Sequence, residues 1–359
     1  MSKLKVLICA PLPPPKGGIA TWVDELVNAN EQSNFADIYM FNTANKRKAG
    51  VYSNIKKIKD GLGLIAKQVI GFANVLKSND VDLVHLSSSG GFAHFRDILF
   101  TLLSKCYGKK IVLQLHYGVN DNAYLWPPCA KLFLFILQRI TDRVLVLDDS
   151  YVKSSPHKKL ALSFNGITPN TTINISKKKK EIVFVGWIIK QKGVFDLIHS
   201  WNEILDKNDW QLTIIGPALK EEDKKLKQII NLGTTTYLGE LSREEVIKRI
   251  NNAKVFVLPS HTEGFPFAVL EAMERELALI VSNVGGMSQL FNEGNEPGWL
   301  IEPNDTKALK RVLETVTLND SEVIKRAKTS RSILLNKFTS KNMLNNLIVS
   351  WNSAFDRKF

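Results

Sequence analysis

The sequence is short of several features that would define a class of protein at once. Its 359 residues include three cysteines, Cys9, Cys106 and Cys129, whose spacing fits neither a disulfide framework nor a metal site. It has no run of about 18 apolar residues, so no transmembrane helix is expected. The apolar run near Met1 is too short for a signal peptide and has no cleavage site. We therefore expect a cytoplasmic protein.

Two common phosphate-binding motifs are also absent from the start of the chain. The apolar run Leu4–Ala10 predicts a strand, and a helical pattern begins at Ile19 after a proline-rich loop that ends in Gly17 and Gly18. The loop contains neither the Gly-Lys-Ser/Thr of a P-loop nor a Gly-x-Gly-x-x-Gly fingerprint. The two glycines therefore have two interpretations, a backbone that approaches a phosphate or a plain tight turn.

Composition indicates a globular protein that contacts an anionic partner. Apolar residues make up 44% and charged residues 23% of the chain, which is typical of a folded protein, and the length favours two domains. The net charge is +13, with 21 Lys and Arg against 12 Asp and Glu up to Asn165, and 27 against 23 afterwards. This uneven charge suits membrane headgroups, a lipid diphosphate or nucleic acid, and does not choose among them.

Strand and helix patterns alternate along both halves, which predicts doubly wound parallel α/β sheets. The first half has helical patterns at Ile55–Lys77, Phe92–Tyr107 and Ala123–Ile140. The first of these is basic and amphipathic, and the last contains the apolar run Leu132–Leu137. Such helices can lie on an anionic bilayer or pack as ordinary surface helices with lysines facing water. A polar stretch, 168–180, separates the halves and predicts a solvated linker.

The most informative stretch is Val255–Gly286. An apolar strand leads through a polar loop into a helix that starts at Pro266 and is apolar on nearly every side. Glu271 lies among those apolar residues, where a buried carboxylate needs a partner that the neighbouring sequence does not supply. Glu263 precedes the helix N-terminus, which suits a phosphate. A nucleotide sugar would satisfy all three features, although both residues could also be ordinary helix-start glutamates.

The segment Glu263–Glu271, EGFPFAVLE, resembles the E-x7-E signature of retaining glycosyltransferases of family 4. This resemblance implies a GT-B fold, in which two Rossmann-like domains face each other across a cleft. Residues 1–168 would form an acceptor-binding domain and residues 169–342 a nucleotide-sugar-binding domain. The last helix, within 343–359, would cross back onto the first domain.

The resemblance also implies roles for individual residues. Glu263 would hold the sugar hydroxyls, Glu271 the ribose, and Lys192 the diphosphate. His116 ends an apolar strand, where open α/β sheets place ligand-facing side chains. The resemblance would set it beside the reacting carbon, and the alternative is a capped loop histidine. Further donor contacts would come from backbone and glycine positions: Gly264, Phe265, Pro266, Phe267, Gly216, Gly17 and Gly18.

One position departs from the family pattern. The loop Val185–Gly193 has Lys192 where it is expected, but Trp187 replaces an arginine that would help to neutralise the leaving diphosphate. Loss of one cation weakens leaving-group stabilisation, and Lys190 could replace it only as a point charge. This substitution indicates either a subfamily or a weakened enzyme.

The sequence thus predicts a metal-independent, cofactor-free retaining glycosyltransferase. It would move a sugar from a UDP- or GDP-sugar to a glycan or polyprenyl-diphosphate-linked acceptor in capsule or lipopolysaccharide synthesis, with peripheral contact to an anionic membrane. Lys192 and the helix terminus would supply the positive charge that a metal otherwise supplies. The alternatives are a non-catalytic nucleotide-sugar scaffold and a sugar-nucleotide epimerase on the same fold. A nucleic-acid binder ranks last, because it leaves Glu271 without a partner.

Overall fold

The structure, a computed structural model, divides the chain into two compact units. Unit 1 comprises Met1–Gly166 and Ser340–Phe359, and unit 2 comprises Ile167–Thr339. For residues 54–62 only the backbone is described. The structure describes residues 3–13, 17–44, 54–91, 93–119, 129–155, 158–170, 178–291 and 294–355.

Unit 1 is built on a parallel sheet in the spatial order β2-β1-β3-β4-β5-β6. The inner strands are rich in branched apolar residues and are buried, as expected for a parallel sheet covered on both faces. The strands are β1 (Leu4–Ala10), β2 (Ala36–Asn42), β3 (Leu83–Ser88), β4 (Lys110–Leu115), β5 (Arg143–Val146) and β6 (Leu160–Leu162).

Helices cover this sheet. On one face, Phe72 and Phe100 stack with their ring centroids 4.2 Å apart and join the buried strand residues in one core. The C-terminal helix packs against the first helix and β5 of the same unit. The helices are α1 (Gly18–Ser33), α2 (Asn54–Ser78), α3 (Ala93–Cys106), α4 (Cys129–Ile140), α5 (Asp149–Ser154) and α12 (Ser340–Ser353).

Unit 2 repeats the plan with a second parallel sheet, in the order β12-β11-β10-β7-β8-β9. Its strands are β7 (Lys179–Val185), β8 (Gln211–Ile215), β9 (Thr235–Tyr237), β10 (Ala253–Leu258), β11 (Ala278–Ser282) and β12 (Gly298–Ile301). Its helices are α6 (Val194–Asn202), α7 (Lys220–Ile229), α8 (Arg243–Asn252), α9 (Phe267–Glu274), α10 (Thr306–Leu318) and α11 (Asp320–Lys337).

Local sequence explains where several of these helices begin. Ser242 and Glu245 form a capping box at the start of α8, because the Ser242 side chain accepts from the Glu245 N–H while the Glu245 carboxylate accepts from the Ser242 N–H. Asp305 and Asn319 cap α10 and α11 in the simpler way, each accepting one backbone N–H. α9 begins differently: its N-cap is Pro266, which makes no side-chain cap hydrogen bond.

The predicted fold class is confirmed, since both units are doubly wound parallel α/β structures. Sequence patterns missed the two short edge strands, β6 and β12. The predicted linker is wrong at its end, because Lys179 and Lys180 begin β7 and the Lys178 ammonium donates to the Ala253 carbonyl oxygen at 2.8 Å. Residues 123–128 of a predicted helix and residues 171–177 of the linker lie outside the described ranges.

Each sheet has a point where the chain reverses direction across it. In unit 1 the reversal lies between β1 and β3, and in unit 2 it lies between β7 and β10. Loops leaving the carboxyl ends of such neighbouring strands diverge to opposite faces and leave a crevice, which is where open α/β sheets bind ligands. The loops that follow β7 and β10 therefore border the candidate ligand-binding crevice of unit 2.

Candidate functional site

The loops after β7 and β10 touch through their backbones. Gly193 closes the turn Lys190–Lys192 with a φ of 67°, and a Cβ atom there would lie 1.9 Å from the Pro259 carbonyl oxygen. Such a contact is impossible for any side chain, and the positive φ favours glycine independently. The glycine therefore allows the two loops to lie directly against each other.

Glu263 and Lys192 meet where these loops come together. The Lys192 ammonium donates to Glu263 Oε1 at 2.5 Å, and the Ser260 hydroxyl donates to the same oxygen at 2.8 Å. The Glu263 side chain is 8% exposed and that of Lys192 is 24% exposed. A carboxylate this deeply buried needs such partners, because desolvation of an unpaired charge is costly. The structure thus brings together two residues predicted from separate motifs.

His261 also joins the two loops. Its backbone N–H donates to the Gln191 carbonyl oxygen at 2.8 Å. Its ring Nε2 lies 2.6 Å from Asp196 Oδ2, in the first turn of α6. The only sequence signal for this pair was the position of His261, two residues before Glu263.

The glutamate of α9 has a protein partner that the sequence did not reveal. Glu271 is half-buried, and its Oε1 accepts from Arg243 Nη2 at 3.0 Å. As expected, the residues next to Glu271 in the sequence do not supply this partner. Arg243 comes from the start of α8, 28 residues earlier. The Arg243 side chain is 52% exposed, so the pair lies at the protein surface.

The residues between the glutamates form a tightly packed backbone. Gly264 is buried, and its carbonyl oxygen accepts from the Gly286 N–H at 2.8 Å. Gly285 has a φ of 54°, and a Cβ atom there would lie 2.3 Å from the Glu263 carbonyl oxygen. Phe265 is buried against the Phe338 ring, with centroids 5.2 Å apart. Pro266 and Phe267 form the N-cap and first residue of α9.

The remaining predicted donor residues of unit 2 lie on the loops after β7 and β8. Trp187 is 54% exposed and Lys190 is exposed in the turn before Gly193. Gly216 has a φ of 149°, and a Cβ atom there would lie 1.8 Å from the Gly186 carbonyl oxygen. Gly216 therefore lets the loop after β8 pass against the loop after β7.

In unit 1, His116 follows the end of β4 in an aromatic cluster. Its ring meets the edge of Trp22 at a centroid distance of 5.0 Å, and Trp22 stacks on His85 at 5.3 Å. The Trp351 indole N–H of α12 donates to His85 Nδ1 at 3.0 Å. Burial, followed by the nearby His85, lowers the pKa of His116 to about 3. Its ring is therefore neutral near pH 7, and its Nε2 makes no hydrogen bond with the part of the chain that the structure describes.

Gly17 and Gly18 stand at the start of α1, as the N-cap and first helical residue. Gly17 has extended backbone with a φ of −161°, which any residue can adopt. A Cβ atom at either position would meet no atom within 4 Å among the described residues. Neither the backbone nor packing against these residues therefore explains the glycines.

Potential metal ligands do not cluster in the described ranges, where no group of three His, Cys, Asp or Glu side chains could hold an ion. The triplet Asp80-Val81-Asp82 has the spacing of a metal-binding Asp-x-Asp motif. It precedes β3 instead of following it, and both of its carboxylates bind Lys5. These aspartates therefore bind the start of β1 at the amino end of the sheet.

Comparison with known proteins finds similarity to glycosyltransferases. Residues 171–332 match the family described as Glycosyl transferases group 1. An uncharacterized glycosyltransferase of Methanocaldococcus jannaschii is 26% identical over 334 residues, which is 90% of each chain. A capsular polysaccharide biosynthesis glycosyltransferase of Staphylococcus aureus is 31% identical over 168 residues, covering 45% of this chain and 42% of the relative.

Solved structures show the same fold. A sucrose-phosphate synthase from Thermosynechococcus elongatus has a TM-score of 0.76 at 18% identity, covering 99% of this chain and 100% of the other. The Anabaena protein HepE, in complex with UDP, has a TM-score of 0.72 at 14% identity, covering 98% and 100%. The fold is GT-B, and the matched domain and relatives support a glycosyltransferase of the GT-B type.

Proposed function

We propose that this chain is a retaining, metal-independent glycosyltransferase. It would move a hexose from a UDP- or GDP-sugar to a glycan or polyprenyl-diphosphate-linked acceptor in capsule or lipopolysaccharide-type synthesis. The observation that carries the proposal is the buried Lys192–Glu263 pair, placed before an α9 N-terminus that has no side-chain cap. The capsular relative supports a role in polysaccharide synthesis, and the UDP complex of HepE supports the donor class.

Each of these residues has a task in the proposed reaction. Lys192 and the backbone N–H groups at the start of α9 stabilise the diphosphate, while Glu263 accepts hydrogen bonds from the sugar hydroxyls. Glu271 binds the ribose diol, and neutral His116 flanks the reacting carbon. The bond from that carbon to the diphosphate breaks, the glycosidic bond forms on the same face, and a departing phosphate oxygen takes the acceptor proton.

The two glutamates give a matched test of this assignment. Glu263→Ala should abolish sugar transfer while nucleotide binding persists. Glu271→Ala should weaken nucleotide binding by about 10- to 100-fold, since a hydrogen bond to a charged group contributes roughly 1.5–3 kcal/mol. Calorimetric titration with UDP, GDP, ADP and CMP measures binding, and nucleotide release from UDP- and GDP-sugars measures turnover. Wild-type turnover in Glu263→Ala would remove the catalytic role, and a wild-type chain that binds no nucleotide would contradict the function.

The outer face of α4 supports the proposed membrane contact. Leu132 and Phe135 are 56% and 47% exposed, and the Arg139 guanidinium lies 4.0 Å from the centroid of the Phe135 ring. Lys131 is exposed beside them, and the helix carries no Asp or Glu. Apolar side chains flanked by cations suit the interface of an anionic bilayer. No helix within the described ranges is long and apolar enough to span a membrane.

Sedimentation with vesicles tests this contact. Wild type should bind vesicles that contain phosphatidylglycerol and lose binding with Leu132→Ser and Phe135→Ser combined. Leu205→Ser in unit 2 is the control, because Leu205 is exposed and lies outside this face. Equal binding by all three proteins would exclude α4 as the contact.

A non-catalytic nucleotide-sugar scaffold is the second candidate, and Trp187 is the observation that favours it. An exposed indole stands where the family pattern places a cation, so Lys192 lacks one expected partner in charge neutralisation. Wild-type protein that binds a nucleotide sugar tightly but never releases its nucleotide, with or without acceptor glycans, would favour this candidate.

A further inference from the structure

We infer that His261 and Asp196 are a positioning pair, which holds the loop bearing Glu263 and the loop bearing Lys192 in register. The inference rests on the proposed function and adds to it two residues that touch neither sugar nor nucleotide in that proposal. Their hydrogen bond is 2.6 Å long and joins the loop after β10 to the first turn of α6.

The pair completes a set of contacts around the Lys192–Glu263 bond. On one side of it, Gly193 rests against the Pro259 carbonyl oxygen. On the other, the His261 N–H binds the Gln191 carbonyl oxygen, so this residue is attached through both its backbone and its ring. His261 lies two residues before Glu263, and Asp196 lies four residues after Lys192. A shift of either loop therefore changes the position of one charged side chain relative to the other.

Such restraint has a specific purpose at this site. Lysine has a long flexible side chain, and its ammonium must face both Glu263 and a diphosphate within hydrogen-bond distance. Misplacement of a catalytic group by 1 Å can cost about 100-fold in rate. The imidazole of His261 is 16% exposed and the Asp196 carboxylate is 32% exposed, so their bond is partly shielded from competing water. The pair therefore fixes the position of the loop that carries Lys192.

Matched variants separate positioning from general stability. His261→Ala removes the bond, His261→Gln retains a side-chain donor, and Asp196→Asn retains an acceptor without the charge. His199→Ala is the control, because His199 is exposed on the same helix. We expect His261→Ala to lower kcat by about 10- to 100-fold with nucleotide Kd close to wild type, and His261→Gln and Asp196→Asn to recover most of the rate. Wild-type kcat in His261→Ala, or no recovery by either conservative variant, would overturn the inference.

Hydrogen exchange tests the same pair in the ligand-free protein, so the inference does not depend on finding the acceptor. His261→Ala should speed amide exchange at 190–193 as well as at 259–265, while His199→Ala should leave both segments unchanged. Unchanged exchange at 190–193 in His261→Ala would contradict the coupling. If the wild type binds neither UDP nor GDP and consumes no donor, the proposed function fails, and the exchange result still decides whether the pair holds the loops.

Discussion

His116 in unit 1 and Glu263 in unit 2 both follow the carboxyl ends of parallel strands, yet their surroundings differ. His116 lies among aromatic rings, and burial keeps its imidazole neutral. Glu263 is buried beside a cation, because the Lys192 ammonium donates to its carboxylate. The strand end in unit 1 therefore carries an uncharged imidazole packed among aromatic rings, whereas the strand end in unit 2 carries the Lys192–Glu263 ion pair on two loops.

This difference predicts how substitutions in each unit affect stability and turnover. An aromatic cluster depends on packing, so loss of one ring is felt as a loss of stability. A buried ion pair depends on both partners, because removing one leaves an uncompensated charge. Binding of a polyanionic donor can exchange one partner for another, as when a diphosphate approaches Lys192. We therefore expect substitutions in unit 2 to change turnover most strongly, and substitutions in unit 1 to change stability and its dependence on pH.

The largest effect is expected at Lys192. Lys192→Ala should lower kcat by about 100- to 1,000-fold, since it removes the cation that stabilises the developing charge of the diphosphate in the proposed reaction. Lys190→Ala, in the same turn but exposed, is the control and should change kcat far less. Steady-state turnover of a UDP- or GDP-sugar measures both. Equal losses for the two variants would mean that Lys190 shares the charge neutralisation with Lys192.

The next effect concerns the contact between the loops. Gly193→Ala should destabilise unit 2 by at least about 2 kcal/mol more than Gly239→Ala. Both glycines have a φ near 70°, but a Cβ atom at Gly239 would meet nothing within 4 Å, whereas one at Gly193 would strike the Pro259 carbonyl oxygen. Urea denaturation of the two variants separates backbone strain from the clash. Equal stabilities would show that the loops move apart at little cost.

The smallest effect is the pH dependence of unit 1. Burial lowers the pKa of His85 from 6.5 to about 3, so the unfolded chain binds a proton between these values that the folded unit does not. The stabilisation is complete above about pH 6.5 and falls as the pH drops, by roughly 1.4 kcal/mol per pH unit.

Urea denaturation at pH 7, 6 and 5 measures this effect. His85→Gln should remove about 2 kcal/mol of the loss between pH 7 and 5, with His116 contributing a similar share in both proteins. His199→Gln, an exposed substitution in unit 2, should leave the dependence unchanged. If His85→Gln and wild type lost the same stability, His85 would be protonated in the folded state.

Much of the fold could be predicted because alternating strand and helix patterns are local. β1 begins and ends at the predicted residues, Leu4 and Ala10, and α9 starts directly after Pro266, which was expected at the helix start. β6 and β12 were missed because strands of three and four residues carry too little periodic signal. Their identity depends on pairing with β5 and β11, which no local pattern shows.

In the candidate site, too, features that are local in the sequence were predicted and long-range partners were not. Glu263 and Glu271 share one loop and helix, so their spacing was visible in the sequence. Arg243 was not predicted, because it lies 28 residues from its partner Glu271 and belongs to another helix. The second pair was not predicted for the same reason, because His261 and Asp196 are separated by 65 positions in the sequence. Contacts between residues far apart in the sequence depend on the order of the strands in the sheet. Here β7 and β10 are neighbours, so the loops that follow them lie side by side.

The place of α12 has a consequence for how the chain is made. This helix belongs to unit 1, and its Trp351 indole binds His85 of β3 in the interior. On the ribosome, the whole of unit 2 is synthesised after residue 166 and before Ser340. At the usual 5–20 residues per second, the first unit waits on the order of ten to thirty seconds for its final helix. The later unit can thus finish folding first, and during that interval the nascent first unit is the natural client of chaperones.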